Sequence, residues 1–339
     1  MLYVVLFFLM VSLLLYVVLA GADFGAGIVE LFSSKKNQQI TKKTVYEVMG
    51  PVWEANHIWI IILVVILWVG FPDFYNVLVV YLHIPLTLVL LGITLRGVAF
   101  VFRHYDAYKD KSQILYDWMF RISSLITPIF LGMTAGAMLS GQLLITEQYE
   151  DFTFKQLFMS PWLNGFSILV GCFFAALCAF LASILLIGEA KGTDRHIYVK
   201  KSRNATIAVI AIGFVVLSYG FVYEVIFVTD FIENPFTISL IILSAILILP
   251  LLRSIKNAQK VVSRFLAGLQ VVLIFIAALV THFPYLIIAS NTEINLLETA
   301  STEKVISVLG ISLIIGGLVI LPGLFHLFKS FKMIKIFED

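Results

Sequence analysis

Three carboxylates and one arginine, Asp23, Glu30, Glu54 and Arg96, stand inside or at the edge of apolar segments long enough to cross a membrane, all toward the same end of those segments. An ionisable side chain at the centre of a bilayer costs roughly 2.5–3.5 kcal/mol even on the lenient insertion scale, so such groups face a bundle interior or a water path. Asp23, Gly27 and Glu30 are spaced i, i+4, i+7 and share one helix face. Asp23 then lies about 10 Å deeper than Glu30. A carboxylate stripe running inward is what a proton path needs. The competing reading has Asp23 pinning a neighbouring helix through one hydrogen bond. For Glu30 the expectation is a solvated charge at the rim.

The second segment opens Gly50-Pro51-Val52-Trp53-Glu54-Ala55-Asn56-His57-Ile58-Trp59. Pro51 suits a first helical turn. Glu54 and His57, at i and i+3, can interact, with Asn56 beside them. An interfacial tryptophan and a carboxylate at a helix start explain Trp53 and Glu54 singly. They do not explain Glu54, Asn56 and His57 together ahead of a very apolar run. Arg96, seven residues before Arg103, either snorkels to water or pairs with Asp23 or Glu54 and tunes it. His83 and His282 lie at similar expected depth, each two residues before a proline. They could serve as a bis-histidine haem pair, or satisfy carbonyls that the prolines free. Glu224 is a further polar residue near a span end. Cys172 and Cys178, six apart, diverge on a helix and are expected to pack rather than to bond or to hold metal.

These residues must be positioned by membrane helices. The chain has 339 residues, 60% hydrophobic and 13% charged, with a mean hydropathy of +1.01. This leaves almost no room for a separate aqueous domain, so residues 1–339 read as one polytopic membrane domain. Met1 leads straight into an apolar run longer than a signal-peptide core, so no cleavable leader is expected. Apolar runs of about 20 residues read as spans. Nine are expected: 2–31, 51–71, 75–102, 114–141, 164–188, 205–228, 236–252, 265–289 and 305–328. A basic, amphipathic connection over 33–48 suggests a short interfacial helix. Nine short-looped spans suggest two four-helix bundles with one peripheral helix. Of the 23 Lys and Arg, all but Lys155 and Lys304 fall at or near one end of the spans. Asp73, Glu147, Glu150, Asp151, Asp230, Glu233, Glu293, Glu298 and Glu303 collect at the other. Basic loops stay in the cytoplasm, which puts the N-terminus outside and the C-terminus inside.

The sequence carries no P-loop, no GxGxxG, no zinc spacing and no catalytic-serine motif, and no nucleic-acid partner is expected. GADFGAGIVELF at 21–32 and GPVWEANHIWIIILVVILWVGFP at 50–72 resemble the two signature stretches of subunit II of cytochrome bd-type quinol oxidases, and LRGVAF at 95–100 resembles a third. Where that family often has aspartate and glycine in the second signature, this chain has Glu54 and Ala55; the carboxylate is kept on a longer arm. The resemblance implies a multi-pass subunit of a terminal respiratory oxidase in a prokaryotic cell membrane. It implies a haem-bearing subunit I as partner, holding the b-type and d-type haems and the quinol site. It allows a small single-span accessory subunit, and a structural quinone or lipid on subunit II. Subunit II would support assembly and line a cytoplasmic proton path, with Glu54, Asp23, Arg96, His57 and Asn56 as path residues, no haem ligated confidently and no metal held. The alternatives are a purely structural subunit of the same oxidase and an independent proton-coupled transporter. The transporter would call for paired broken helices in matching halves, which are not evident.

Overall fold

The computed structural model describes residues 1–49, 53–105, 111–189 and 195–330, with the backbone alone for 48, 49, 53, 54, 104, 105 and 327–330. Its backbone is almost wholly helical, as a chain in hydrocarbon must be if each N–H and C=O is to be bonded internally. Among the described residues eight helices are long and apolar enough to cross a membrane, or nine if one bent pair counts as a span.

The first span, α1, runs Leu2–Leu31 and contains one π-helical turn at Tyr16–Ala20. The basic connection forms α2 (Lys35–Met49), as expected; its apolar side buries Val45. A single turn, α3 (Trp53–Asn56), precedes α4 (Ile58–Gly70). Here the expected spans need correction. Phe71 breaks the helix and Pro72 starts another, α5 (Pro72–Tyr81), turned by 116° from α4. Proline lacks the N–H that would continue α4 and suits a first helical position. The third span, α6, therefore covers His83–Tyr105 and not 75–102.

Next come α7 (Ser112–Leu139), the short α8 (Phe154–Phe158), α9 (Gly165–Ile187) and α10 (Arg195–Val222). α10 starts ten residues before the expected span, so Lys200, Lys201 and Arg203 sit on it rather than in a loop. The chain continues through α11 (Ile226–Glu233), α12 (Pro235–Lys256), α13 (Lys260–His282) and α14 (Glu303–Ser330). Residues 285–289, expected as helix, instead enter a hairpin of β1 (Tyr285–Ile288) and β2 (Glu293–Asn295), pairing Tyr285 with Asn295 and Ile288 with Glu293. Pro284 ends the helix there.

The second half of α1 packs against α7 and α9, α6 packs along α7, and α10 along α9. The first half of α1 meets α4 and α14, and α12 pairs with α13. Small residues set the central spacing, as is usual between membrane helices. A methyl group on Gly25 would collide with the carbonyl of Cys178, and one on Gly27 with the Ser124 side chain. Cys172 and Cys178 are both free thiols. Because the obstacle at Gly25 is backbone, Gly25→Ala should force α1 off α9. Overpacking of this kind costs roughly 1–3 kcal/mol. The expected result is a clear fall in the thermal midpoint of the purified protein, whereas Gly268→Ala, which meets nothing within 4 Å, should leave it unchanged.

Candidate functional site: a buried ladder of ion pairs

The polar residues of α1 and α6 meet in two tiers. In the deeper tier Asp23, fully buried, takes both arms of Arg96: Nη1 donates to Oδ2 at 2.5 Å and Nη2 to Oδ1 at 2.8 Å. Nη2 also donates to the Asp23 backbone carbonyl at 2.9 Å, and Nε to Ser124 Oγ at 3.0 Å. Planar guanidinium matches carboxylate in this two-pronged way, giving the strongest class of protein hydrogen bond. Of the two expected roles for Arg96, pairing holds and snorkelling does not: the residue is 2% exposed.

In the second tier Glu30 Oε1 accepts from Arg103 Nη2 at 2.6 Å and from Arg121 Nε at 2.9 Å. Glu30 is fully buried, which corrects the expectation of a solvated rim charge. Its other oxygen, Oε2, has no hydrogen-bond partner among the described residues. Asp117 stands at the outer edge of this tier, 2.8 Å from Arg103 Nε and 2.6 Å from Lys42 Nζ on α2. Asp117 and Lys42 are partly exposed, so the ladder opens toward the end of the bundle that carries the basic connections.

Phe120 separates the tiers. The guanidinium of Arg96 lies 5.0 Å from its ring centre and that of Arg103 4.7 Å. Cation–π contact of this sort is worth most when desolvated, and Phe120 is fully buried. Phe24 gives Arg96 a second aromatic neighbour at 5.2 Å.

Of the other expected site residues, His57 does reach the ladder. It occupies the turn between α3 and α4, with Nε2 3.8 Å from Asp23 Oδ2, longer than a hydrogen bond, and its ring against Phe24 and Tyr16. His57 Nδ1 and the Tyr16 hydroxyl are buried without a hydrogen-bond partner among the described residues. Asn56 is buried on α3. The backbone of Glu54 belongs to the same turn, which packs on the π-helical turn of α1, while its side chain falls outside the described residues.

His83 and His282 occupy separate surroundings. His83 opens α6 rather than lying inside a span; its Nδ1 is 2.8 Å from the Val80 carbonyl and its ring is edge-on to Phe158. His282 closes α13, stacks on Phe227 and approaches Asp230 to 3.1 Å. Glu224 adopts a left-handed turn residue after α10. Among the described residues no group of three or more His, Cys, Asp or Glu could hold a metal ion.

Arg103, Arg121, Asp117, Lys42 and Ser124 are members of the site that sequence reasoning passed over. One signal was present: the acids on α1 and the arginines on α6 share a seven-residue step, so parallel helices bring both pairs into register together. Arg121 lies inside the fourth expected span, 114–141, and is buried on α7.

The family described as cytochrome bd terminal oxidase subunit II matches residues 1–331. The chain belongs to that family. The cytochrome bd ubiquinol oxidase subunit 2 of Bacillus subtilis (strain 168) is 26% identical over 212 residues, 61% of this chain and 60% of that one. A second subunit II chain of the same organism is 25% identical over 332 residues, 95% of this chain and 92% of that one. The Escherichia coli (strain K12) cytochrome bd-I ubiquinol oxidase subunit 2 is 25% identical over 165 residues, 42% of its length. The fold is similar to a chain in the structure of bd oxidase from Geobacillus thermodenitrificans, with a TM-score of 0.75 at 16% identity over 98% of this chain and 100% of that one.

The Asp23–Arg96 pair generates a stability prediction. Removing one member of a buried pair strands a charge and costs about 3–5 kcal/mol, whereas removing both costs less. Arg96→Gln should therefore destabilise the protein more than the Asp23→Asn/Arg96→Gln double variant, measured by denaturant unfolding in micelles. A double variant as unstable as the sum of both singles would show that the two side chains act independently.

Proposed function

We propose that this chain is the non-haem subunit of a quinol:dioxygen oxidoreductase of a prokaryotic cytoplasmic membrane. It supports assembly of a haem-bearing subunit I and lines a proton path from the cytoplasm to the site of dioxygen reduction. The N-terminus lies outside and the C-terminus inside, in two four-helix bundles with one peripheral helix. The observation that carries the reading is the fully buried Asp23 carboxylate on a membrane-length helix, with His57 3.8 Å away on the turn that also bears Glu54.

The reduction of dioxygen to water consumes protons, so a buried reduction site needs a supply. Carboxylates and imidazoles bind and release protons near neutrality. Guanidinium groups keep theirs, so Arg96 and Arg103 hold the path in place and do not carry along it. Glu54, with His57 and Asn56 beside it, is the exchanging group, and Asp23 is the fixed charge next to it. Lys42 and Asp117 mark the cytoplasmic mouth. The haems would supply the electron chemistry from the partner subunit.

A purely structural role is the second reading, and the two-pronged Asp23–Arg96 pair favours it, since a carboxylate so engaged serves well as a fastener. Glu54→Gln separates the two, because glutamine keeps the volume and most hydrogen bonding but cannot exchange a proton. For a relay, the Glu54→Gln complex should assemble with normal haem content and turn over at least tenfold more slowly, and Glu54→Asp should regain part of the rate. Wild-type turnover in fully assembled Glu54→Gln enzyme would rule out an essential relay at this position.

Orientation is tested separately. A reporter active only in the cytoplasm, fused after Asp339, should be active. Activity instead from a reporter that works only outside the membrane would place the carboxylates at the wrong face for a cytoplasmic path.

A further inference from the structure

We propose that a small cluster of ordered water is bound inside the bundle, between the middle of α1 and the start of α4, and is held by Ser12, Tyr16, His57 and Trp59. Each of the four carries a buried polar atom with no hydrogen-bond partner among the described residues: Ser12 Oγ, Tyr16 Oη, His57 Nδ1 and Trp59 Nε1. Such atoms are rare in folded proteins, because burial without a bond takes the group's hydration and returns nothing. Ser12 is 1% exposed, Tyr16 4% and Trp59 7%.

The four atoms are grouped, not scattered. Tyr16, Trp59 and Phe24 belong to one buried cluster, and the Tyr16 and His57 rings lie 6.2 Å apart. Ser12 precedes Tyr16 by one helical turn on the same face. Buried hydroxyls elsewhere in the bundle bond a carbonyl of the preceding turn: Ser123 to Met119, Thr127 to Ser123, Ser183 to Phe180. Ser12 makes no such bond. Tyr16 also opens the π-helical turn of α1, a distortion frequent at functional sites.

Donor and acceptor types identify the occupant. The Trp59 N–H only donates, the two hydroxyls donate and accept, and His57 Nδ1 does either according to tautomer. The occupant must therefore accept from one group and donate to another, and it must fit a closed interior. Water does both, and a buried water needs two to four such partners. Through the other nitrogen of His57, 3.8 Å from Asp23 Oδ2, the cluster adjoins the inner ion pair. From Asp23 to Ser12 the helix rises about 16 Å, close to half of a hydrocarbon core about 30 Å thick. The water thus carries polarity from the ladder to the middle of the bilayer. Its role rests on the proton-path reading: the cluster is the inner end of the path, where the Tyr16 hydroxyl takes a proton on one side and releases one on the other, with no net change.

The test exposes the purified oxidase complex in nanodiscs to millisecond X-ray pulses, which make hydroxyl radical from water, and identifies oxidised side chains by mass spectrometry. Bound water oxidises the buried rings beside it, whereas rings in a dry core stay unmodified. Tyr16 and Trp59 should oxidise several-fold faster than Phe180, which is buried in an apolar cluster with Leu177 and Ile184. Tyr16→Phe removes the hydroxyl and keeps the ring. It should slow Trp59 oxidation several-fold in a complex of normal haem content. Wild-type rates at Tyr16 and Trp59 no higher than at Phe180 would overturn the proposal, whatever becomes of the variant. So would Trp59 oxidation indifferent to Tyr16→Phe. For the role, Tyr16→Phe should also turn over several-fold more slowly. Unchanged turnover there, beside a slowed Glu54→Gln enzyme, would remove Tyr16 from the path. Wild-type turnover in both variants would overturn the path reading and the role resting on it, while the oxidation rates still decide the water.

Discussion

Two buried carboxylates on one helix, each held by an arginine on a neighbouring helix, set the terms for the rest of this protein. Taking such charges out of water costs several kcal/mol per ion, and only near-complete pairing and hydrogen bonding repays it. The surrounding sequence supplies that pairing. Gly27 lets α7 approach until Ser124 Oγ reaches Arg96 Nε. Phe120 covers the guanidinium faces that hydrogen bonds leave bare. Arg121 adds the second bond to Glu30. Small residues, aromatics and ion pairs thus form one arrangement, and the packing of α1, α6 and α7 follows from it.

The outer tier is built differently from the inner one. Glu30 and Asp117 face Arg103, Arg121 and Lys42, so cations outnumber acids there, while Asp23 and Arg96 balance. Of the carboxylate oxygens in the ladder, Glu30 Oε2 is the buried one with no hydrogen-bond partner among the described residues. A positive outer tier draws anions toward this end of the bundle.

Much of this was legible in the sequence. Apolar run length placed most spans, because a helix in hydrocarbon needs little else to be recognised. It failed for residues 75–81, which belong to the separate helix α5 rather than to the third span, and for 285–289, which leave the helix after Pro284 and enter the hairpin; both stretches are apolar enough to pass for span ends. Asp23 and Arg96 stood out because each is a lone charge in an apolar stretch. Glu30 was read as a solvated rim charge and Arg103 and Arg121 were passed over, because near span ends composition alone does not separate a solvated charge from a buried one. Burial there is decided by α2 folding back over the bundle end, through Lys42 to Asp117 and through Thr41 and Ser33 to Lys201. The resemblance carried by residues 21–32 and 50–72 gave the family, and the match over 1–331 agrees with it.

The shared seven-residue step of the two pairs has a mechanical meaning. A slide of α1 along α6 by one helical turn, about 5.4 Å, would part Asp23 from Arg96 and Glu30 from Arg103 at once, leaving Glu30 only its bond from Arg121. The two helices are therefore keyed together along their length. Any movement that accompanies turnover must carry them as a single lever, free to rock but not to act as a piston.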